Sequence, residues 1–289
     1  MKFSWIEENS SVYPAKKMCQ VLNVSRSGYY HWLQRPPSAR SQEDAELLTS
    51  IRQIHQESHG AYGTPRILEV LRKRGRRVGK NRIDRLKRHA AIFARKFRHY
   101  RVATTDSKHD QQISPNLLNQ DFKASRPNRV WLSDITYIRL ATGAFVYLCV
   151  VLDLFSREIA GWNLASHMRT ELVLGALNQA VCRRRPSSGL IFHSDRGVQY
   201  ASKDFRKELK RGRFRQSMSR KGNCYNNAPM ESFFAMLKIE EIYRTSYESL
   251  AAAKRKLFDY IKVFYNRQRR HSALGCLAPK KFSRKQEAA

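Results

Sequence analysis

Acidic residues are scarce relative to their opposites: 24 Asp and Glu stand against 55 Lys and Arg, a net charge of +31. An excess of this size opposes compaction by self-repulsion and is relieved by a polyanionic partner. Long apolar runs are missing as well. The longest, residues 144–152, stops at Asp153, well short of the roughly 20 residues that span a bilayer. The cationic residues are spread along the whole chain and not gathered on one amphipathic segment, which points away from a lipid surface and toward nucleic acid. A generally basic soluble surface is the plainer alternative. Glu7 and Glu8 stand where an export signal needs apolar residues. Cysteine is sparse and scattered: Cys19, Cys149, Cys182, Cys224 and Cys276 make neither a zinc knuckle nor a redox pair, and they read as reduced thiols of a cytosolic protein. No a/d heptad pattern is sustained over three or four heptads, so no leucine zipper is expected. What the chain does have is 42% apolar residues over 289 positions, enough for one ordinary domain and one or two small ones.

The first small module spans residues 1–35. Ala15, Met18, Cys19 and Leu22 recur at helical spacing, and Asn23-Val24-Ser25 reads as a turn. Ser25 or Ser27 can then cap a second helix carrying Tyr29, Tyr30 and Leu33. Two helices on a tight turn suit a helix-turn-helix reader with Arg26 at the DNA, although many small helical bundles share the pattern. Arg35-Pro36-Pro37-Ser38 breaks the helix and marks a linker. Residues 41–95 form a second helical, helix-turn-helix-like module. Its stripes are Leu47, Leu48, Ile51 and Ile54, then Ile67, Leu68, Val70 and Leu71, then Ile83 and Leu86, with Pro65 placed for a first helical turn. Between residues 72 and 88 lie ten Lys or Arg and one acid, Asp84. A solvated helix face mixes its signs, so Arg72, Lys73, Arg74, Arg76, Arg77, Lys80, Arg82 and Arg85 become candidate phosphate contacts. His55 and His59 lie four apart without the acid of an HExxH motif and read as surface histidines.

Residues 96–126 read as a connector. From 127 to 283 the pattern becomes α/β. Strands are expected over 130–138, 145–152, 158–164 and 190–193, and helices over 170–184, 202–211, 228–239 and 249–265. Three early strands suit an antiparallel meander, and strand-helix-strand adds a parallel neighbour.

Three acids in this region carry the chemistry. Cutting a phosphodiester without a covalent protein intermediate is served by two divalent ions about 3.5–4 Å apart, and such hard ions take oxygen ligands. Asp134 lies inside an apolar strand, Trp131-Leu132-Ser133-Asp134-Ile135-Thr136-Tyr137. Asp195 follows the next isolated strand, in Phe192-His193-Ser194-Asp195-Arg196-Gly197, and Glu231 lies on a helix, in Asn227-Ala228-Pro229-Met230-Glu231-Ser232-Phe233-Phe234. Singly, each could be an ordinary ion-paired, turn or helix-surface acid. Asp153, another acid at a strand end, reads as a hydrogen-bonding partner for Ser156 or Arg157.

Residues 131–282 resemble the catalytic core shared by retroviral integrases and bacterial insertion-sequence transposases, the ribonuclease H-like DDE enzymes. Thirty-five residues separate Asp195 from Glu231, a spacing typical of that family. Lys238 follows Glu231 by seven, where the family places a basic residue; two near-turns of helix return it to the same face. Trp131-x-x-Asp134-x-Thr136, His193-Ser194-Asp195-Arg196-Gly197 and Asn227-Ala228-x-x-Glu231-Ser232-Phe233-Phe234 resemble the branch encoded by the second of two overlapping reading frames. The tail Tyr265-Asn266-x-x-Arg269-Arg270-His271-Ser272-Ala273-Leu274-Gly275 does so too. Asn226, where many relatives carry Asp, and Cys276, where an aromatic residue is common, depart from the pattern. Unlike retroviral integrases, the chain has no paired His and Cys zinc cluster at its start.

The resemblance implies a mixed five-stranded sheet with flanking helices, preceded by the small all-α modules. It implies Asp134, Asp195 and Glu231 as catalytic and metal-binding residues and two Mg²⁺ or Mn²⁺ ions, one between Asp134 and Asp195 and one between Asp134 and Glu231. Lys238 would contact DNA. The expected reaction is metal-dependent cleavage and strand transfer on double-stranded DNA, at element ends and target. A homo-oligomer and an upstream-frame partner or fusion would assist it, in the bacterial cytoplasm at the nucleoid. Two alternatives stand beside this: a recombinase with a covalent Tyr or Ser nucleophile, and an inactive descendant kept as a DNA-binding regulator.

Overall fold

Three short helices open the chain: α1 (Lys2–Glu8), α2 (Ala15–Val21) and α3 (Arg26–Leu33). Ser25 caps α3 by accepting from the Gly28 N–H, while Asn23 makes the preceding turn with a left-handed φ of 52°. Ile6, Met18, Cys19 and Tyr29 close a small core. α1 adds to the expected pair of helices. It contributes one buried residue, Ile6, too few to show a helical period in the sequence. The computed structural model describes residues 1–94, 110–219 and 227–287. Part of the expected connector, together with Arg95, Cys224 and Asn226, lies outside the described residues.

The second helical unit comprises α4 (Ala39–Glu57), α5 (Thr64–Lys73) and α6 (Lys80–His89). The three expected stripes meet in one core through Ile51, Ile54, Ile67, Leu71 and Ile83, each contributing roughly 1.5–3 kcal/mol by burial. Ser38 caps α4 from the Ser41 N–H, and Pro65 occupies the first turn of α5, where its missing N–H costs nothing.

Five strands follow: β1 (Val130–Arg139), β2 (Phe145–Asp153), β3 (Ile159–Ala165), β4 (Ile191–Ser194) and β5 (Arg215–Met218). They form one mixed sheet in the order β3-β2-β1-β4-β5. β1, β2 and β3 pair antiparallel, whereas β4 runs parallel to β1, and β5 to β4. This is the mixed five-stranded, ribonuclease H-like sheet that was expected. β5 itself escaped sequence reading because Arg215-Gln216-Ser217-Met218 is a short, mostly polar edge strand with no apolar alternation. Its identity as a strand comes from its neighbour.

Each face of the sheet carries its own core. α7 (Thr170–Arg184), α8 (Val198–Ala201) and α9 (Lys203–Arg211) cover one face, packing Leu172, Ala176, Tyr200 and Phe205 against Trp131, Cys149 and Val151. α10 (Ala228–Glu240) and α11 (Leu250–Phe258), which continues as a π-helical turn over Asp259–Tyr265, cover the other. There Phe233, Leu237, Leu257 and Tyr265 pack on Leu132, Leu148 and Val150. Gly161 of β3 is what lets α7 lie close: a Cβ there would stand 2.2 Å from the Ala176 carbonyl oxygen. α12 (Pro279–Glu287) ends the described chain.

The α4–α6 unit rests on the C-terminal helices. The Arg270 N–H donates to the Tyr62 hydroxyl at 2.9 Å, Arg244 donates to the His59 carbonyl, and the His59 and Phe264 rings lie 4.5 Å apart. Among the described residues no helix is long and apolar enough to cross a membrane.

Candidate active site

Strand periodicity aims Asp134. Val130, Leu132 and Ile138 of β1 belong to the core beneath α10, so Asp134, two residues from Leu132, faces the same side. Ser133 faces the opposite layer, where its hydroxyl meets that of Tyr200 at 2.8 Å. The Ile135 N–H donates to Asp134 Oδ1 at 2.7 Å and fixes the carboxylate. Parallel pairing then places the second acid. Leu132 is in register with His193, so Asp195, two past His193, emerges from the end of β4 level with Asp134. The Gly197 N–H donates to Asp195 Oδ1 at 3.0 Å.

Glu231 comes from the first turns of α10 and is exposed. The start of that helix is tied to β1 beside Asp134, because the Asn227 side-chain amide donates to the Ser133 carbonyl at 3.3 Å. Met230, Phe233 and Leu237 anchor its inner face in the core. Lys238 lies further along α10, half-buried, with its ammonium 5.3 Å from the Tyr137 ring centre.

These four charged groups share one electrostatic field. Burial pushes the Asp134 carboxyl well above the usual aspartate range, and the charges of Asp195 and Glu231 push it the same way. The Ile135 N–H and Lys238 pull against them. Burial in turn lowers the Lys238 pKa, with Asp134 opposing. Among the described residues no three His, Cys, Asp or Glu side chains are gathered closely enough to hold a metal ion.

Residues 124–224 and 213–279 match family models described as the integrase core domain, and residues 41–100 match the HTH-like domain. The insertion element IS600 31 kDa protein of Shigella sonnei is 43% identical over 268 residues, covering 93% of this chain and 98% of that one. Transposase InsF for insertion sequence IS3A of Escherichia coli K12 is 39% identical over 287 residues, covering 99% of each. The chain belongs to the IS3 family of insertion-sequence transposases. It is a DDE transposase, an enzyme that cuts DNA and transfers strands. A chain of the simian T-cell lymphotropic virus intasome is a distant likeness, with a TM-score of 0.48 at 14% identity, covering 81% of this chain and 74% of that one.

The family-like tail of this transposase has a structural job. Asn266 clips the backbone of Ile159 in both directions, accepting from its N–H at 2.9 Å and donating to its carbonyl at 3.0 Å. Arg269 is buried and grips Glu240 of α10 with two nitrogens, at 2.6 and 2.7 Å, while the Tyr260 hydroxyl donates to the same carboxylate at 2.8 Å. The His271 ring packs on Tyr265 at 4.9 Å, and burial lowers its pKa to about 3. Glu240 went unnoticed in the sequence, although it stands at core spacing from Phe233 and Leu237 on an otherwise apolar helix face. An acid on such a face is the available signal. Asp153 is fully buried and accepts from the Ser156 and Asn128 N–H groups, the turn-holding role expected of it.

The basic run from 72 to 88 is only partly left open: acids of α4, 17 to 41 residues away in sequence, fold against it. Arg74 pairs with Glu57, Arg76 with Glu46, Arg82 with Asp44 and Glu43, and Arg85 with Asp44, at 2.6 to 3.4 Å. Lys73 pairs with Glu69 at 3.3 Å. Arg72, Arg77 and Lys80 are exposed and make no ion pair among the described residues. Arg26, at the start of α3, is exposed with its guanidinium 5.7 Å from the Tyr30 ring centre. His59 is exposed as expected, but His55 is half-buried on the inner side of α4.

The raised Asp134 pKa makes a stability prediction for the metal-free transposase. A carboxyl whose pKa rises on folding destabilises the fold once pH passes its unfolded value of about 3.9, and increasingly so toward the folded value. Asp134→Asn keeps an acceptor for the Ile135 N–H and removes that cost. Its melting temperature should exceed the parent's near about pH 7, with the gain vanishing below about pH 4, where the carboxyl is protonated in both states. Melting curves across this range check it, and a gain independent of pH would contradict the assignment of its cause.

Proposed function

We propose that Asp134, Asp195 and Glu231 are the catalytic carboxylates and that they hold two divalent ions, Mg²⁺ or Mn²⁺. The observation carrying this is the register that brings Asp195 level with Asp134, with the root of the Glu231 helix tied to β1 beside them. Three hard oxygen donors with a surplus of negative charge suit such ions, which when bound supply activation of the attacking oxygen and stabilisation of the leaving one. The chain's own contribution is placement. The Ile135 N–H orients one Asp134 oxygen, the Gly197 N–H orients Asp195, and Asn227 holds the root of the glutamate helix on β1. Lys238 contacts a DNA phosphate beside them. Water first cleaves at an element end and leaves a free 3′ hydroxyl, which then attacks a second phosphodiester in line.

In this reading residues 1–35 and 41–95 bind DNA, 96–126 connect, and 127–283 form the catalytic domain. Arg26, Arg72, Arg77 and Lys80 reach phosphates directly. Lys73, Arg74, Arg76, Arg82 and Arg85 do so by exchanging carboxylates for phosphates, since exposed pairs are weak and screened by salt. The substrate is double-stranded DNA, and synapsis of two ends requires at least two copies. An upstream-frame product supplies the zipper that the chain lacks, and the complex works in the bacterial cytoplasm at the nucleoid. On paired element ends with that product added, a chelator should abolish cleavage, and Mg²⁺ or Mn²⁺ should restore it. Chelator-resistant cleavage by purified protein would overturn the metal assignment.

A further inference from the structure

A cavity of 460 Å³ opens at the β3 edge of the sheet, and the cations lining it come from three separate parts of the chain. Arg183 and Arg184 come from the end of α7, Lys262 and Arg267 from the π-helical turn and just beyond it, and Lys280 and Arg284 from α12. One acid, Glu158, faces them, and it pairs with Arg184 at 2.7 Å. The other five cations make no ion pair among the described residues. This differs from the basic run of α5 and α6, where acids of α4 pair with Arg74, Arg76, Arg82 and Arg85. Like charges brought together from distant parts of a chain repel one another, more so where burial lowers the local dielectric. Such a gathering is stabilised by a polyvalent anion.

Two details fix the kind of anion. Ser283 lines the cavity, is 3% exposed, and its hydroxyl has no hydrogen-bond partner, which suits a ligand with several acceptor oxygens. Arginine forks match phosphate geometry in the same way. The basic surface also runs on past the cavity through Lys281 beside Arg267 and Arg284, as a polymer requires and a free phosphate does not. The site is not the carboxylate centre. β3 lies two strands from β1, about 10 Å across the sheet, and Ala160 falls at the bulge level with Leu132 and Ser133, on the Trp131 side of Asp134.

We propose that this cavity is a second binding site of the transposase, gripping the phosphate backbone of duplex DNA away from the bond being cut. The inference rests on the reading of the chain as an enzyme acting on DNA. It makes the β3 edge a clamp for flanking or target duplex, independent of sequence.

The experiment titrates binding of the full chain to a random-sequence duplex against salt. Each phosphate contact contributes about 0.9 to the log–log slope, so the triple variant Lys262→Gln, Arg267→Gln, Arg284→Gln should shallow the slope by roughly 2 to 3. A control triple on α9, Lys203→Gln, Lys207→Gln, Lys210→Gln, removes the same net charge and should leave the slope near the parent value. Arg267→Lys with Arg284→Lys should also keep it, which separates phosphate contact from a folding defect. An unchanged slope in the cavity triple, or an equal fall in the control, would overturn the inference. So would a cavity triple that stops binding inorganic phosphate yet keeps its slope on DNA. A parent chain with no salt-dependent duplex binding at all would instead overturn the reading of the chain as a DNA enzyme.

Discussion

Asp134→Asn, Asp195→Asn and Glu231→Gln are each expected to cut cleavage and strand transfer by at least about 100-fold while leaving duplex binding intact. Changes to groups that merely orient metal ligands already cost about 10- to 100-fold, and these three remove a ligand charge itself with almost no change of shape. The three are not equivalently placed. Asp134 sits at the centre of the field, on the middle strand of the sheet, with Asp195 level with it on β4 and Glu231 reaching in from α10. All three losses should nevertheless be of similar size, because each of the two proposed ions would need two of the carboxylates. Parallel measurement of end cleavage, strand transfer and duplex affinity checks this. A variant that keeps a tenth or more of parental activity would remove that residue from the catalytic set.

The second large effect is on stability. Arg269 and Glu240 are 2% and 5% exposed at the side chain and form a two-pronged pair. Removing one member leaves the other charge buried and alone, which costs about 3–5 kcal/mol. Arg269→Met and Glu240→Gln should therefore each lower unfolding stability by that amount in denaturant titrations. The double variant Glu240→Leu, Arg269→Met should recover most of it, since replacing a whole buried pair by apolar side chains is often neutral or better. A single variant costing less than about 1 kcal/mol would show that the pair is not desolvated as the geometry implies. The consequence reaches the active site. Glu240 ends the helix that carries Glu231 in its first turn, so the tail holds that helix on the sheet, and single variants should lose activity in step with their fraction folded.

What the sequence disclosed and what it hid follow physical lines. The helix Thr170–Arg184 and the strands β1 and β2 were legible because their apolar patterns are long. β5 was not, since four mostly polar residues become a strand only through pairing with β4. Asp134 was conspicuous as an acid inside an apolar strand, and the distance from Asp195 to Glu231 gave the set its family likeness. The pairing of Asp44 with Arg82 and Arg85 could not be read off. Nothing local in α4 shows which helix its acids will meet, so the run from 72 to 88 looked more open than it is. The tail motif was legible as a likeness but not as a clamp, because Glu240 lies 29 residues before Arg269.

Carboxylate-held metal chemistry and a covalent protein nucleophile leave different products, and one gel separates them directly. Labelled element-end DNA is incubated with the purified transposase and the proposed upstream-frame product, with Mg²⁺ or with chelator, then resolved under denaturing conditions with and without protease. The predicted result is cleaved strands with free 3′ hydroxyls and joined products in the Mg²⁺ lane alone, identical before and after protease. A labelled protein–DNA adduct that disappears on protease treatment would contradict the assignment of Asp134, Asp195 and Glu231 as the groups that do the chemistry.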